Sequence, residues 1–429
     1  MNGGLWQGWS EEQRVFPLQN FRAAISYVRL KPLASCRLVV FSGEEGSADD
    51  PPPGFLLHLF PDAERARVAF EKETSRPHLI GSRGYEPIFD EERALVAVPF
   101  PNDPEIPDLR HVYQPEKFRR TLMEVLPDYP AATWRIQRQL IKTQLIAYKP
   151  GRRAVYRIKV KIRRRVGDEK VRVHLHAKLE NPATCEASMR NLVTVEAAIP
   201  KDALWRVPPP RGIVEVRSFL ARGWIEGDML QTLALDQGSH AAELFRRTGV
   251  ALAELHHLDL DLDHLLSPIE EGDALRQLAE DQAGLLPSQE SRIRSLGDRL
   301  AHQLPRLSLC ASAIVHGDFH AGQVLISAGK PPVLIDLDRA GRGYAAADLG
   351  SLLACLKELQ LPDVLADAFL DGYKSRCAVA PQEQLVRILT AAALFRRAAF
   401  PFRTLHLEWP RLMERRLEQA EEALEGIQG

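Results

Sequence analysis

Two short polar stretches hold residue types that can do chemistry. They are His316-Gly317-Asp318-Phe319-His320-Ala321-Gly322-Gln323-Val324-Leu325 and, soon after, Val333-Leu334-Ile335-Asp336-Leu337-Asp338. Each joins a polar loop to a short apolar run, the pattern of a loop at the end of a buried strand. Phosphoryl transfer asks little covalent work of a protein. It needs metal ions on the phosphate oxygens, a cation on the phosphates, and a carboxylate that orients the attacking hydroxyl. Asp318, Gln323 and Asp336 offer oxygens of that kind, and Mg²⁺ accepts one or two protein oxygens completed by phosphates and water. A lone His-Gly-Asp fits a turn in any protein. The added His320, the apolar run and Ile335-Asp336 argue against that reading here.

The elements that must position these loops follow from periodicity. Strand-like runs at 313 to 315, 323 to 327 and 332 to 336 interrupt a region of helical periodicity that begins after residue 239. Upstream, runs at 140 to 148, 154 to 163 and 171 to 179 predict an antiparallel meander, turning at Pro150-Gly151 and Val166-Gly167-Asp168. A helix is predicted over 183 to 198, with Met189, Leu192, Val193 and Ala197 as its apolar stripe and Pro200 as its stop. Nearer the N-terminus, 36 to 42 and 55 to 60 read as strands around the acidic, Pro-rich loop Gly43 to Gly54. Asp62 is a helix cap, Ala94 to Val98 a strand, and a helix follows Pro115 with Phe118, Leu122 and Val125 on one face. The basic run Lys159 to Arg165 reads as a solvated ribbon, since strand alternation sends Lys159 and Lys161 to one face.

The pair of motifs resembles the H-G-D-x-H-x-x-N catalytic loop and the following I-D strand of the aminoglycoside phosphotransferase family. That resemblance implies an α+β, bilobal protein-kinase-like fold with a strand-rich N-lobe and a helical C-lobe. It makes Asp318 the catalytic carboxylate, puts Gln323 in the place of a metal-binding Asn, and matches Asp336 to the metal-binding Asp; His316 packs under the loop. Gln in that place resembles the H-G-D-x-H-x-G-Q form of maltokinases and bacterial glucosamine kinases, which tilts the acceptor toward sugars. The continuation Leu337-Asp338-Arg339-Ala340-Gly341 departs from the maltokinase pattern. Ala177-Lys178-Leu179 resembles the strand with the phosphate-binding lysine, and its glutamate partner is Glu186 or Glu196, with Glu196 slightly favoured by spacing. The turn Lys149-Pro150-Gly151-Arg152-Arg153 stands where a phosphate-covering loop is expected, so Arg152 and Arg153 are candidate phosphate contacts, though as bare hairpin residues they would simply solubilise it. Ser218 to Asp228 resembles the family's interlobe hinge, and Arg403 with Trp409-Pro410 its C-terminal ending. Asp348 reads as the N-cap of a helix and, in the family, also braces the catalytic loop. Asp338 reads as a brace beside the metal.

The expected organisation is an N-terminal α+β unit over 1–135, a candidate cap, an N-lobe over 136–220 and a helical C-lobe over 221–429. The implied activity is ATP- and Mg²⁺-dependent phosphorylation of a small hydroxylated molecule, a sugar, amino sugar or related metabolite. An aminoglycoside acceptor is the alternative, with the acidic segment 253 to 276 as its possible pocket; a nucleotide-binding pseudokinase is the alternative of another class. Composition bounds the rest. The 429 residues are 45% hydrophobic and 26% charged, ordinary values for a globular chain. Fifty-six Lys plus Arg stand against fifty-seven Asp plus Glu, so no global basic field attracts nucleic acid. Five scattered cysteines form no C-x-x-C pair, which fits buried thiols in a reducing compartment. No basic and apolar leader opens the chain and no apolar run reaches spanning length, so the expectation is a cytoplasmic protein with no membrane partner.

Overall fold

The computed structural model describes residues 23–31, 35–42, 54–75, 86–263, 267–305, 312–377 and 381–425. Residues 1–22, the loop 43–53 and Cys310 lie outside them. The chain forms two compact units. The first comprises residues 1–185, 211–221 and 400–409; the second comprises 186–210, 222–399 and 410–429.

The first unit holds two antiparallel sheets. In one, β1 (Ala23–Lys31), β2 (Ser35–Ser42), β3 (Gly54–Leu59), β4 (Ile88–Asp90) and β5 (Leu95–Pro99) lie in the order β1-β2-β3-β5-β4. The helix α1 (Ala63–Thr74) leads from β3 toward β4, and Asp62 caps it by accepting a 2.8 Å bond from Arg65 N. In the other sheet the order is β6 (Trp134–Lys149), β7 (Arg153–Arg164), β8 (Lys170–Glu180), β10 (Phe219–Gly223), β9 (Pro210–Val214). Strand alternation builds the core. Val39, Leu56, Val96 and Val98 face one way and meet Tyr156, Ile158, Val160, Leu175 and the helix α2 (Pro115–Glu124) through Phe118 and Leu122, whereas Val40, Leu57 and Ala97 form a second, smaller cluster on the opposite face. The residues expected as a separate N-terminal unit therefore share one core with β6–β8. The strand β6 begins at Trp134, before the expected start at 140, because Trp134 and Ile136 are themselves buried.

The helix α3 (Pro182–Ala198) leads into the second unit, which contains α4 (Leu230–Gln237), α5 (Ala242–His256), α6 (Pro268–Leu285), α7 (Glu290–Gln303), α8 (Ala345–Glu358), α9 (Asp363–Lys374) and α10 (Glu383–Arg397). After α11 (Phe400–Arg403), which belongs to the first unit, α12 (Trp409–Leu424) lies almost wholly in the second. Five short strands set the loops: β11 (Asp228–Met229), β12 (Ala313–Val315), β13 (Val324–Ile326), β14 (Val333–Leu334) and β15 (Gly341–Gly343). The antiparallel pairs β12/β15 and β13/β14 bring the two polar stretches side by side. The helices α5 and α9 cross closely at Gly249, where a Cβ would meet the Phe369 carbonyl at 2.1 Å.

Candidate active site

The loop between β12 and β13 is fixed from below by a buried carboxylate. Asp348 is 1% exposed; its Oδ2 accepts from His316 N at 2.6 Å and its Oδ1 from Gly317 N at 3.0 Å. Such a carboxylate is tolerable only when its lone pairs are filled. His256 of α5 completes the set, with Nε2 3.1 Å from Asp348 Oδ2 and Nδ1 2.8 Å from the hydroxyl of Tyr373 on α9. The helices α5, α8 and α9 thus meet at His256. The expected cap role falls elsewhere: α8 starts after Tyr344, and Asp348, inside the first turn, turns its carboxylate to the loop.

Several contacts then stitch the two motifs together. His316 is fully buried, donates from Nε2 to the Ile335 carbonyl at 2.8 Å and packs edge-on against Phe319. Gly317 has φ +78°, and a Cβ there would lie 2.2 Å from the Arg339 carbonyl, so both handedness and space demand glycine. Ile335 N donates to the Gln323 carbonyl at 2.9 Å. The Gln323 side chain meets Asp336, Nε2 to Oδ2, at 3.3 Å. Asp318 lies exposed on this loop.

Asp336 adopts the left-handed conformation, φ 65° and ψ 47°, which ends β14 at Leu334 rather than at the expected residue 336. Asp is among the few side chains that tolerate this region. The turn after it, Leu337–Arg339, is held by Asn191, a buried residue of α3 whose Nδ2 donates to the Ala340 carbonyl at 2.9 Å and lies 3.4 Å from that of Leu337. Nothing in the sequence marked Asn191 except an amide interrupting the stripe around Met189 and Leu192. His320 accepts from Gly322 N at Nδ1, 3.1 Å. Burial, with Arg397 adding to it, lowers its pKa to about 4 against the opposing pull of Asp318 and Asp336. The imidazole is neutral near pH 7, with its proton on Nε2.

The remaining predicted residues fall as follows. In the first unit Lys178 lies on β8 opposite Val155 and is 2% exposed. Arg152 is exposed and Arg153 half-buried in the turn between β6 and β7. That turn is held by a second buried carboxylate: Asp103 Oδ2 accepts from Gly151 N at 2.7 Å and from the Tyr148 hydroxyl at 2.6 Å. In the second unit Glu186 and Glu196 are both exposed on α3, whose buried polar residues are Ser188 and Asn191. Among the described residues no cluster of three or more His, Cys, Asp or Glu could hold a metal. The Asp336–Gln323 pair is two oxygen-bearing groups, a set that suits a hard cation sharing its shell with phosphates and water.

A strand-rich unit with a buried lysine and a helical unit with these stitched loops define a protein-kinase-like phosphotransferase fold. Residues 163–385, just over half of the chain, match the family model described as phosphotransferase enzyme family (APH), and the chain belongs to that family. Over 118 residues, 25% of its length, it is 33% identical to protein sll1119 of Synechocystis sp., and it spans about a third, 32%, of that protein. Among solved structures it is similar to a choline kinase from Cryptosporidium parvum Iowa II, at 11% identity and TM-score 0.48, covering 72% of this chain and 94% of that one. It is also similar to a macrolide 2'-phosphotransferase from Brachybacterium faecium, at 17% identity and TM-score 0.42, covering 72% and 98%.

Proposed function

We propose that the protein is an ATP- and Mg²⁺-dependent kinase that places the γ-phosphoryl group on a hydroxyl of a sugar, amino sugar or related small metabolite. The observation that supports this best is the stitching of the two motifs, which leaves Asp318 exposed on a loop with a fixed backbone while Gln323 meets Asp336. In this reading Asp318 orients the acceptor hydroxyl and receives its proton. Asp336 and Gln323 hold the magnesium ion; rotation of the amide about its last torsion exchanges the donor now facing Asp336 for an oxygen. The ion, when bound, neutralises charge on the transferring phosphoryl group. Lys178 contacts the α- and β-phosphates, and Arg152 and Arg153 reach phosphate from their turn. Neutral His320 props the loop without adding a charge beside Asp318.

The acidic segment bears on the acceptor. Asp259 pairs with Arg342 at 3.3 Å, Asp263 with Arg190 at 2.6 Å, Asp273 with Arg276 at 2.8 Å, and Glu271 with Arg396. These carboxylates already have cations beside them, which favours a neutral or singly charged acceptor over a polycationic aminoglycoside. Among the described residues Cys36, Cys185, Cys355 and Cys377 are in no disulfide, a state that suits a cytoplasmic, ATP-supplied setting. The test is ATP consumption by the purified protein over sugars, amino sugars, amino alcohols and aminoglycosides. Turnover with a neutral or amino sugar is expected. Nucleotide binding without turnover on any acceptor would replace the kinase by a binding module.

A further inference from the structure

The strands β6 to β8 make a sheet with two chemically opposite faces. Ile158, Val160 and Ile162 on β7 and Val173 and Leu175 on β8 enter the core, and the residues between them point the other way. That second face carries Lys159, Lys161 and Arg163 on β7, Lys170 and Arg172 on β8, and Lys142 on β6. The register sets like charge against like: Lys142 opposite Lys159, Lys161 opposite Arg172, and Arg163 opposite Lys170. Directly opposed like charges weaken a sheet, so stability does not explain the arrangement. Residues 142–144, 157–163 and 170–176 include no Asp or Glu. The acids beside it lie in the turn that joins β7 to β8, where Asp168 pairs with Arg163 and Glu169 with Arg164, each at 2.8 Å. Lys142, Lys159, Lys170 and Arg172 are exposed. In a chain of net charge -1 this is a local concentration of cations.

We propose that this face docks the protein on an anionic lipid surface. The face is a pleated plane, about 10 Å across by about 20 Å along the strands, and it presents point charges at a spacing that dispersed headgroups can meet. Among the described residues it has no Phe, Tyr or Trp on which bases of a single strand would stack, and its rings, His174 and His176, are half-buried. At the tip of the β7–β8 hairpin, Val166 is 86% exposed directly after Arg163-Arg164-Arg165, an apolar point ringed by arginines of the kind the headgroup layer accepts. Surface attachment of this sort needs no spanning helix, and none of the described helices is long and apolar enough to be one. Docking goes beyond the phosphotransferase reading and uses none of its residues.

The experiment is co-sedimentation of the full-length protein with vesicles of phosphatidylcholine alone and of phosphatidylcholine containing phosphatidylglycerol. Binding is expected to the anionic vesicles only, and is expected to disappear near ~1 M salt, where the screening length falls to about 3 Å. The variant Lys159→Glu/Lys161→Glu/Lys170→Glu turns each like-charge opposition into an opposite-charge pair. It should melt no lower than the wild type while binding at least about a hundredfold more weakly. If it does not fold, Lys159→Gln/Lys161→Gln/Lys170→Gln should still weaken binding at least about tenfold. Equal binding to both vesicle types, no binding to either, or retained binding in a folded variant overturns the proposal. So does tighter binding to duplex DNA or RNA than to vesicles at the same salt, which would give the face to nucleic acid.

Discussion

Two loops in different units are held by the same device and assembled from different distances. In the helical unit, Asp348 accepts two successive backbone N–H groups of the His316–Gly317 turn and is filled by His256 and, through it, Tyr373. In the strand-rich unit, Asp103 accepts from Gly151 N, from the Tyr148 hydroxyl and, through Oδ1, from Glu105 N at 2.9 Å. Asp103 is 3% exposed. The Asp348 brace comes from helices of its own unit. The Asp103 brace comes from the segment that follows β5, so the residues ahead of β6 are part of what fixes the Lys149–Arg153 turn. Desolvating a carboxylate is costly, and both sites offset that cost by satisfying backbone groups that would otherwise be buried unpaired. The first unit's N-terminal residues are a support for that turn as much as an appendage.

Removing each brace shows whether the two are equivalent. Asp348→Ala leaves two loop N–H groups and His256 Nε2 without their acceptor, and should cost about 3–5 kcal/mol in denaturant unfolding, with turnover falling further than stability does. A stable variant with normal turnover would separate the brace from the chemistry. Acid should act on the helical unit through His320. Its folded pKa, about 4, lies below the unfolded value near 6.5, so the folded state binds the proton less well and the stability it contributes is present above pH ~6.5 and lost as pH falls toward 4. The loss should be at most about 3 kcal/mol and should flatten in His320→Gln, as read by melting temperature against pH. Asp103→Ala should cost about 2 kcal/mol and raise KM for ATP more than it lowers kcat, because it loosens the turn carrying Arg152 and Arg153. An unchanged KM would leave that turn a structural feature only. The smallest effect is expected at Gln323. Gln323→Asn withdraws the amide by one methylene and should lower kcat/KM about tenfold, or ~1.4 kcal/mol; a gain of turnover would mark a decayed site.

Much of the helical unit's loop structure was legible because it rests on contiguous residues. The stretches 316–325 and 333–338 each carry their own turn, their own apolar strand and their own polar groups, so one sequence window displays them together. Strands β7 and β8 were legible for a similar reason, a period of two sustained over many residues. What supports them was not. Asp103 lies 48 residues from Gly151, between Pro101 and Pro104, and looks like any acidic loop residue. Asn191, His256 and Tyr373 sit on helices, where periodicity marks which face is buried and does not mark which polar group on that face will find a carbonyl or a carboxylate. Asp348 shows the limit within one residue: its position near a helix start suggested a cap, and only the packing of α5, α8 and α9 turns it toward the loop. The like-charge face of β6–β8 needed the register, since alternation alone places Lys159 and Lys161 together and does not show that Lys142 and Arg172 lie opposite them.

The central claim is that Asp318 acts on the acceptor while Asp336 acts on the metal, and titration calorimetry of ATP with and without Mg²⁺ on two variants tests it most directly. Asp318→Asn should bind Mg²⁺ and ATP as the wild type does while losing several orders of magnitude in turnover; Asp336→Ala should lose the Mg²⁺-dependent part of ATP binding. ATP binding by Asp336→Ala that responds to Mg²⁺ as the wild type does, or an Asp318→Asn protein that loses nucleotide affinity along with turnover, would contradict the account.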